Sequence, residues 1–99
     1  MTPIIERDSI NRRTVSMWDE CGMRFRSNVV EAGGRIELHT HSYAHVAAVW
    51  GPFRMTVGDQ VSEISRGNVT IPAGVAHAFD YLGADVGQVL CFWPIGADA

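Results

Sequence analysis

Every histidine in this chain falls between Gly33 and His77, and their spacing constrains the fold more than any other feature. Three of the four sit in His39-Thr40-His41-Ser42-Tyr43-Ala44-His45, and the fourth, His77, follows Pro72-Ala73-Gly74-Val75-Ala76. Side chains two apart on a strand point to the same face. His39 and His41 on one strand therefore aim at one point. His45 reaches that point if the chain bends across residues 42–44 and opens the next strand. The turn-forming triplet Pro72-Ala73-Gly74 can deliver His77 from a strand paired across a barrel. Neutral imidazole is the commonest protein ligand for a metal, so the four histidines are candidate ligands of one ion.

The rest of the chain reads as short strands separated by turn signals. Residues 1–13 are polar after Ile4-Ile5 and suit a solvated arm or an outer edge strand, with Arg12-Arg13 a solvated charge pair. Residues 14–18 suit a short strand, and Asp19-Glu20-Cys21-Gly22 a turn. Residues 23–30 alternate, with Met23, Phe25 and Val29 on one face and Arg24, Arg26 and Asn28 on the other. The charges on that second face read as solvated, with a pocket-mouth arginine that binds a carboxylate as the alternative. Gly33-Gly34 breaks the pattern, and residues 35–41 form the next strand. On strict alternation Ile36 and Leu38 oppose the two histidines, while Glu37 shares their face. Glu37 is then either an acceptor for an imidazole N–H or a solvated rim residue.

Residues 45–50 and 53–57 read as strands on either side of Gly51-Pro52, with the small Ala47 on the histidine face. Gly58-Asp59 suits a two-residue hairpin loop. Residues 60–65 return antiparallel, Arg66-Gly67-Asn68 turns, and residues 69–71 end at Pro72. Residues 77–82 alternate and place Phe79 and Tyr81 on the His77 face. Tyr81 is a candidate for proton transfer or a ligand hydrogen bond, against the plainer role of a packing residue. Residues 89–93 are apolar on both faces and need cover on both sides. Many short strands without a helical period indicate an all-β barrel or sandwich.

At the histidines the sequence resembles the cupin superfamily. The first cupin motif runs Gly, five residues, His-x-His, three or four residues, Glu, six residues, Gly. Here Gly33, five residues, His39-Thr40-His41, three residues, His45, five residues and Gly51 follow it. The second motif runs Gly, five residues, Pro-x-Gly, two residues, His, three residues, Asn. Here it reads Gly67, four residues, Pro72-Ala73-Gly74, two residues, His77, three residues, Tyr81. His45 stands in place of the family's usual Glu, Tyr81 in place of its Asn, and each motif has one Gly spacing a residue short. The resemblance covers roughly residues 25–93. It implies one cupin domain over residues 1–99, a double-stranded β-helix of jelly-roll type, and a four-histidine metal site. It also implies a homodimer.

One divalent ion is expected: imidazole suits iron, zinc, nickel or copper, and the resemblance to four-histidine cupins adds manganese, with manganese or iron favoured. Two function classes follow. One is a metal-dependent oxygenase or isomerase acting on a small organic acid or enol, with Tyr81 and Glu37 as acid–base candidates. The other is a small-ligand binding or sensing module without catalysis. In both, the partner is a small anionic organic molecule, because four neutral rings leave the ion's charge uncompensated. A formal net charge of -3 argues against nucleic acid. No run approaches the roughly 18 apolar residues of a membrane span, and a cytoplasmic location is expected, with Cys21 and Cys91 as free thiols.

Overall fold

The structure is a computed structural model that describes residues 3–99. Residues 1 and 2 of the expected N-terminal arm lie outside the described residues. Eight strands and no helix are found among the described residues: β1 (Ile4–Asp8), β2 (Arg13–Glu20), β3 (Met23–Glu31), β4 (Arg35–His39), β5 (His45–Val57), β6 (Gln60–Ile71), β7 (His77–Tyr81) and β8 (Val86–Pro94). All pairings are antiparallel, in the order β1-β2-β3-β8-β5-β7-β4, with β6 along β5.

The 13-residue β5 makes the barrel. Its first half, Val46 to Trp50, pairs with Phe92 to Gln88 of β8. Its second half, Phe53 to Val57, pairs with Tyr81 to His77 of β7. The change of partner falls at Gly51-Pro52, where the register with β6 also shifts. Gly51 has φ 102, which a side chain would resist, and Pro52 has no N–H to give a ladder. The two residues that read as a break between strands are thus a bulge within one strand that turns the corner between two sheets. Residues 60–71 likewise form one strand across the expected turn at 66–68, with Gly67 at φ 149 opposite Val49. The hairpin at Gly58-Asp59 forms as read, with Val57 facing Gln60.

The registers define which side chains enter the barrel. Met17, Arg26, Cys91 and Ala47 form one rung across four strands, and Val15, Asn28, Val89 and Val49 another. These rungs face inward: Ala47 and Val89 are fully buried and Asn28 is 2% exposed. The rung on the other side of the first, Trp18, Phe25, Phe92 and Val46, faces outward. The inward face of β3 is therefore the one carrying Arg24, Arg26 and Asn28, not Met23, Phe25 and Val29. Two physical reasons explain this correction. Two of the three inward polar groups have partners: Arg13 donates to Asn28 Oδ1 at 2.9 Å, and Arg24 donates to Asp19 and Asp98 at 2.8 and 2.9 Å. The outward aromatics cover one another, with Trp18 stacked on Phe25 at 5.4 Å and Phe25 against Phe92 at 5.7 Å.

Phe53, Phe79, Ile71, Trp93, Val30 and Val89 fill the core, each 2% exposed or less. Gly87 lies against this packing. A Cβ there would sit 2.6 Å from Phe53 Cε2 and 2.7 Å from Tyr81 Cε1, and both rings are buried. Gly87→Ala is expected to cost about 1–3 kcal/mol by overpacking, read as a lower denaturant midpoint at unchanged slope. At Gly22, where a Cβ meets nothing and only the positive φ resists it, the same change should cost about 1–2 kcal/mol through the backbone alone.

Candidate metal centre

The four histidines come from three strands and one connecting loop. His39 ends β4, His41 lies in the loop that follows, His45 opens β5 and His77 opens β7. The donor atoms of His39, His41 and His77 all lie within 4.8 Å of one another. Two ligands of one ion with bonds of about 2.1 Å lie roughly 3–4 Å apart, so small side-chain adjustments complete the convergence. His45 stands beside the trio, its ring centroid 5.2 Å from His41 and 5.1 Å from His77.

A β-bulge delivers His39. Ile36 pairs with Phe79 and His39 with His77, so three residues of β4 span two of β7. The extra residue shifts the alternation, and Ile36 and His39 both face the cavity while Leu38 is 64% exposed. This overturns the strict alternation that set Ile36 opposite the histidines and Glu37 beside them. Glu37 sits exposed at the bulge, in a rim cleft shared with His39. Its main-chain carbonyl, not its carboxylate, lies 2.6 Å from His39 Nδ1.

His77 Nδ1 is 2.9 Å from the Val75 carbonyl in the same way. A carbonyl can only accept, so in both rings Nδ1 carries the proton and Nε2 keeps the lone pair. His77 Nε2 is buried without a hydrogen-bond partner, and so is His45 Nδ1. Buried polar atoms are normally satisfied, and a cation explains acceptors left bare among converging imidazoles. The residues present thus fit a divalent ion. Cys91 lines the same cavity, and burial pushes its thiol up to about 12, so it is protonated in the metal-free protein. Cys91 and the exposed Cys21 are unbridged.

The cavity has a volume of about 30 Å³, with Arg26, Asn28, Phe79 and Trp93 among its walls. Arg13 and Arg26 also line the rim cleft of about 200 Å³ and an open depression of about 490 Å³ against β1 and β2. A separate depression of about 410 Å³ on the outer face holds no histidine. Phe79 lies on the His77 face as the alternation implies. Tyr81 shares that face but pairs with Phe53, whereas His77 pairs with Val57 at the other end of β7. Four residues of strand span about 13 Å, and Tyr81 packs on Phe53 at 5.1 Å instead of lining the cavity. The tyrosine beside the histidines is Tyr43, 4.9 Å from both His41 and Trp93. Its place inside the histidine motif was the available signal. Burial holds its phenol above the usual range.

Burial holds His41 and His45 down to about 4, helped by the neighbouring rings and Arg26, and lowers His77 too. Unfolded histidines take up protons near pH 6.5. The metal-free fold therefore has its full histidine contribution above about pH 6.5 and loses it as pH falls toward about 4. Asp8, held at about 2 by Asn11 and Arg13, contributes above about 3.8 and fails only below it. The melting temperature of metal-free protein should fall between about pH 6.5 and 4, and less steeply in His45→Gln. A flat profile there would show that these rings are not buried neutral.

Comparison with known proteins gives no matching family model and no curated protein similar in sequence. Solved structures do match. A cupin-2 domain protein from Rhodospirillum rubrum superposes with a TM-score of 0.78 at 22% identity, over 99% of this chain and 72% of that one. An RmlC-like cupin from Shewanella frigidimarina gives 0.75 at 17% identity, over 93% and 83%. This is a cupin fold. A deletion mutant of Bacillus subtilis oxalate decarboxylase matches at 0.80 and 16% identity, covering 98% of this chain and 29% of that one. The expected jelly-roll barrel is thereby established. No helix among the described residues is long and apolar enough to cross a membrane.

Proposed function

We propose that this cupin holds one divalent ion on His39, His41, His45 and His77 and acts on a small organic acid or enol as an oxygenase or isomerase. The observation that carries the reading is the set of converging imidazoles with bare ring nitrogens beside a cavity reached past Arg13 and Arg26. When bound, the ion supplies Lewis-acid polarisation of substrate oxygens. Manganese or iron suits that chemistry, with zinc, nickel or copper as alternatives. The protein's own groups do the rest. The main-chain carbonyls of Glu37 and Val75 fix two rings, Phe79 and Trp93 exclude water, and Tyr43 holds a proton beside His41. Glu37, at the rim next to His39, is the second candidate for proton transfer, whereas the placement of Tyr81 favours a packing role.

The outward aromatics Trp18, Phe25 and Phe92 are only half-buried, and Trp50 is 57% exposed under Arg66. They support a two-fold homodimer through this sheet face, which light scattering would test. A cytoplasmic location completes the proposal.

The small enclosed volume favours one other reading, a binding or sensing module that holds metal and a compact ligand without turnover. Oxygen uptake and product analysis with manganese- or iron-loaded protein, across 2-oxo acids, 2-hydroxy acids and diketones, separates the two. Turnover supports the enzyme. Tight binding of an acid without turnover supports the module, and neither binding nor turnover would contradict both.

A further inference from the structure

Three arginines on the inward side of β2 and β3 are half-buried: Arg13, Arg24 and Arg26. Two of them are neutralised. Arg13 pairs with Asp8 at 2.9 Å and donates to Asn28. Arg24 is held between Asp19 at 2.8 Å and Asp98 at 2.9 Å. Arg26 alone of the three has no carboxylate partner and no hydrogen bond among the described residues. Its guanidinium lies 5.7 Å from the Trp93 ring centroid, and it lines the histidine cavity, the rim cleft and the open depression alike.

A partly desolvated cation without a counter-ion is costly. The cost is offset if a ligand brings the missing charge. A planar guanidinium matches a carboxylate with two parallel N–H···O bonds, which a lysine could not supply. The cation–π contact with Trp93 engages the guanidinium's charge without using its N–H groups, which stay available to donate. Histidines and Arg26 share a cavity of about 30 Å³, room for about one water, so a bridging ligand is short and extends into the rim cleft of about 200 Å³ that Arg26 and His39 also line.

We propose that Arg26 is the anion-binding residue of this site, receiving a carboxylate of a short dicarboxylic or 2-oxo acid whose other oxygens face the histidines. The proposal rests on the reading of the site as a metal centre for organic anions. It adds the residue that selects for charge and the limit on ligand length.

The test is calorimetric titration of manganese-loaded protein with oxalate, and separately with imidazole as a neutral ligand for the same ion. Arg26→Ala should weaken oxalate on the order of ten- to a hundredfold while metal content and imidazole affinity hold. Arg26→Lys should recover part of the loss, since charge returns without the fork; it also decides the matter if the alanine variant does not fold. Arg24→Ala, which removes an arginine already neutralised, should leave oxalate within about twofold. Equal oxalate affinity in wild type and both Arg26 variants would overturn the assignment and leave the metal reading standing. So would parallel losses of oxalate, imidazole and metal, which mark a structural role. Wild-type protein that takes manganese but no oxalate would overturn the anion reading and this assignment together.

Discussion

Replacing His77 with alanine is expected to weaken metal binding by more than the ten- to hundredfold typical of losing an outer partner of a ligand. His77 is 1% exposed, and its ring centroid lies 4.2, 5.3 and 5.1 Å from those of His39, His41 and His45. Its Nδ1 is engaged by the Val75 carbonyl, so Nε2 has no purpose inside the protein except to accept. Removing the ring takes away the most buried of the four, one that lies against every other. Glu37→Gln should leave affinity almost unchanged, because the group that orients His39 is the main-chain carbonyl, which survives any substitution. Competition against a chromogenic chelator reads both variants. Comparable affinity in wild type and His77→Ala would move the ion elsewhere.

Replacing Phe53 with alanine should have the largest effect on stability, about 3–5 kcal/mol. Its side chain is fully buried at the point where β5 passes from one sheet to the other. It stands edge-to-face with Phe79 at 6.2 Å and against Tyr81 at 5.1 Å, and both neighbours would border the void. A domain of this size holds roughly 5–15 kcal/mol in all, so a melting temperature lower by on the order of 15 °C or more is expected. Val61→Ala, on a residue 64% exposed, should change stability by no more than about 0.5 kcal/mol. A shift of only a few degrees in Phe53→Ala would mean that the junction is not closed around this ring.

Much of this architecture was legible in the residues themselves. The histidine spacing, the glycine and proline turns and the alternating apolar residues led to the barrel and to the grouping of His39, His41 and His77, with His45 beside them. What escaped was phase. An extra residue at the β4 bulge turned Ile36 inward and carried Glu37 to the rim, and nothing in Arg35-Ile36-Glu37-Leu38-His39 signals a bulge. On β3 the alternation was right but its sense was reversed. A hydrophobic rule sends Phe25 inward, whereas the barrel takes Arg24 and Asn28, which Asp19, Asp98 and Arg13 satisfy, and Arg26 on the same face beside Trp93. Tyr81 lay on the expected face but at the wrong end of its strand, a distance that periodicity does not encode. At Gly51-Pro52 and Gly67, break residues mark bends within continuous strands, because the corner of a barrel needs the same backbone freedom as a turn.

Whether these imidazoles share one ion is decided by X-ray absorption at the metal edge, on protein loaded with manganese to constant composition. The expected result is about one ion per chain, a first shell of nitrogen and oxygen at about 2.0–2.3 Å, and the outer-shell scattering of several imidazoles. A metal content far below one per chain, or a shell without imidazole scattering, would contradict it.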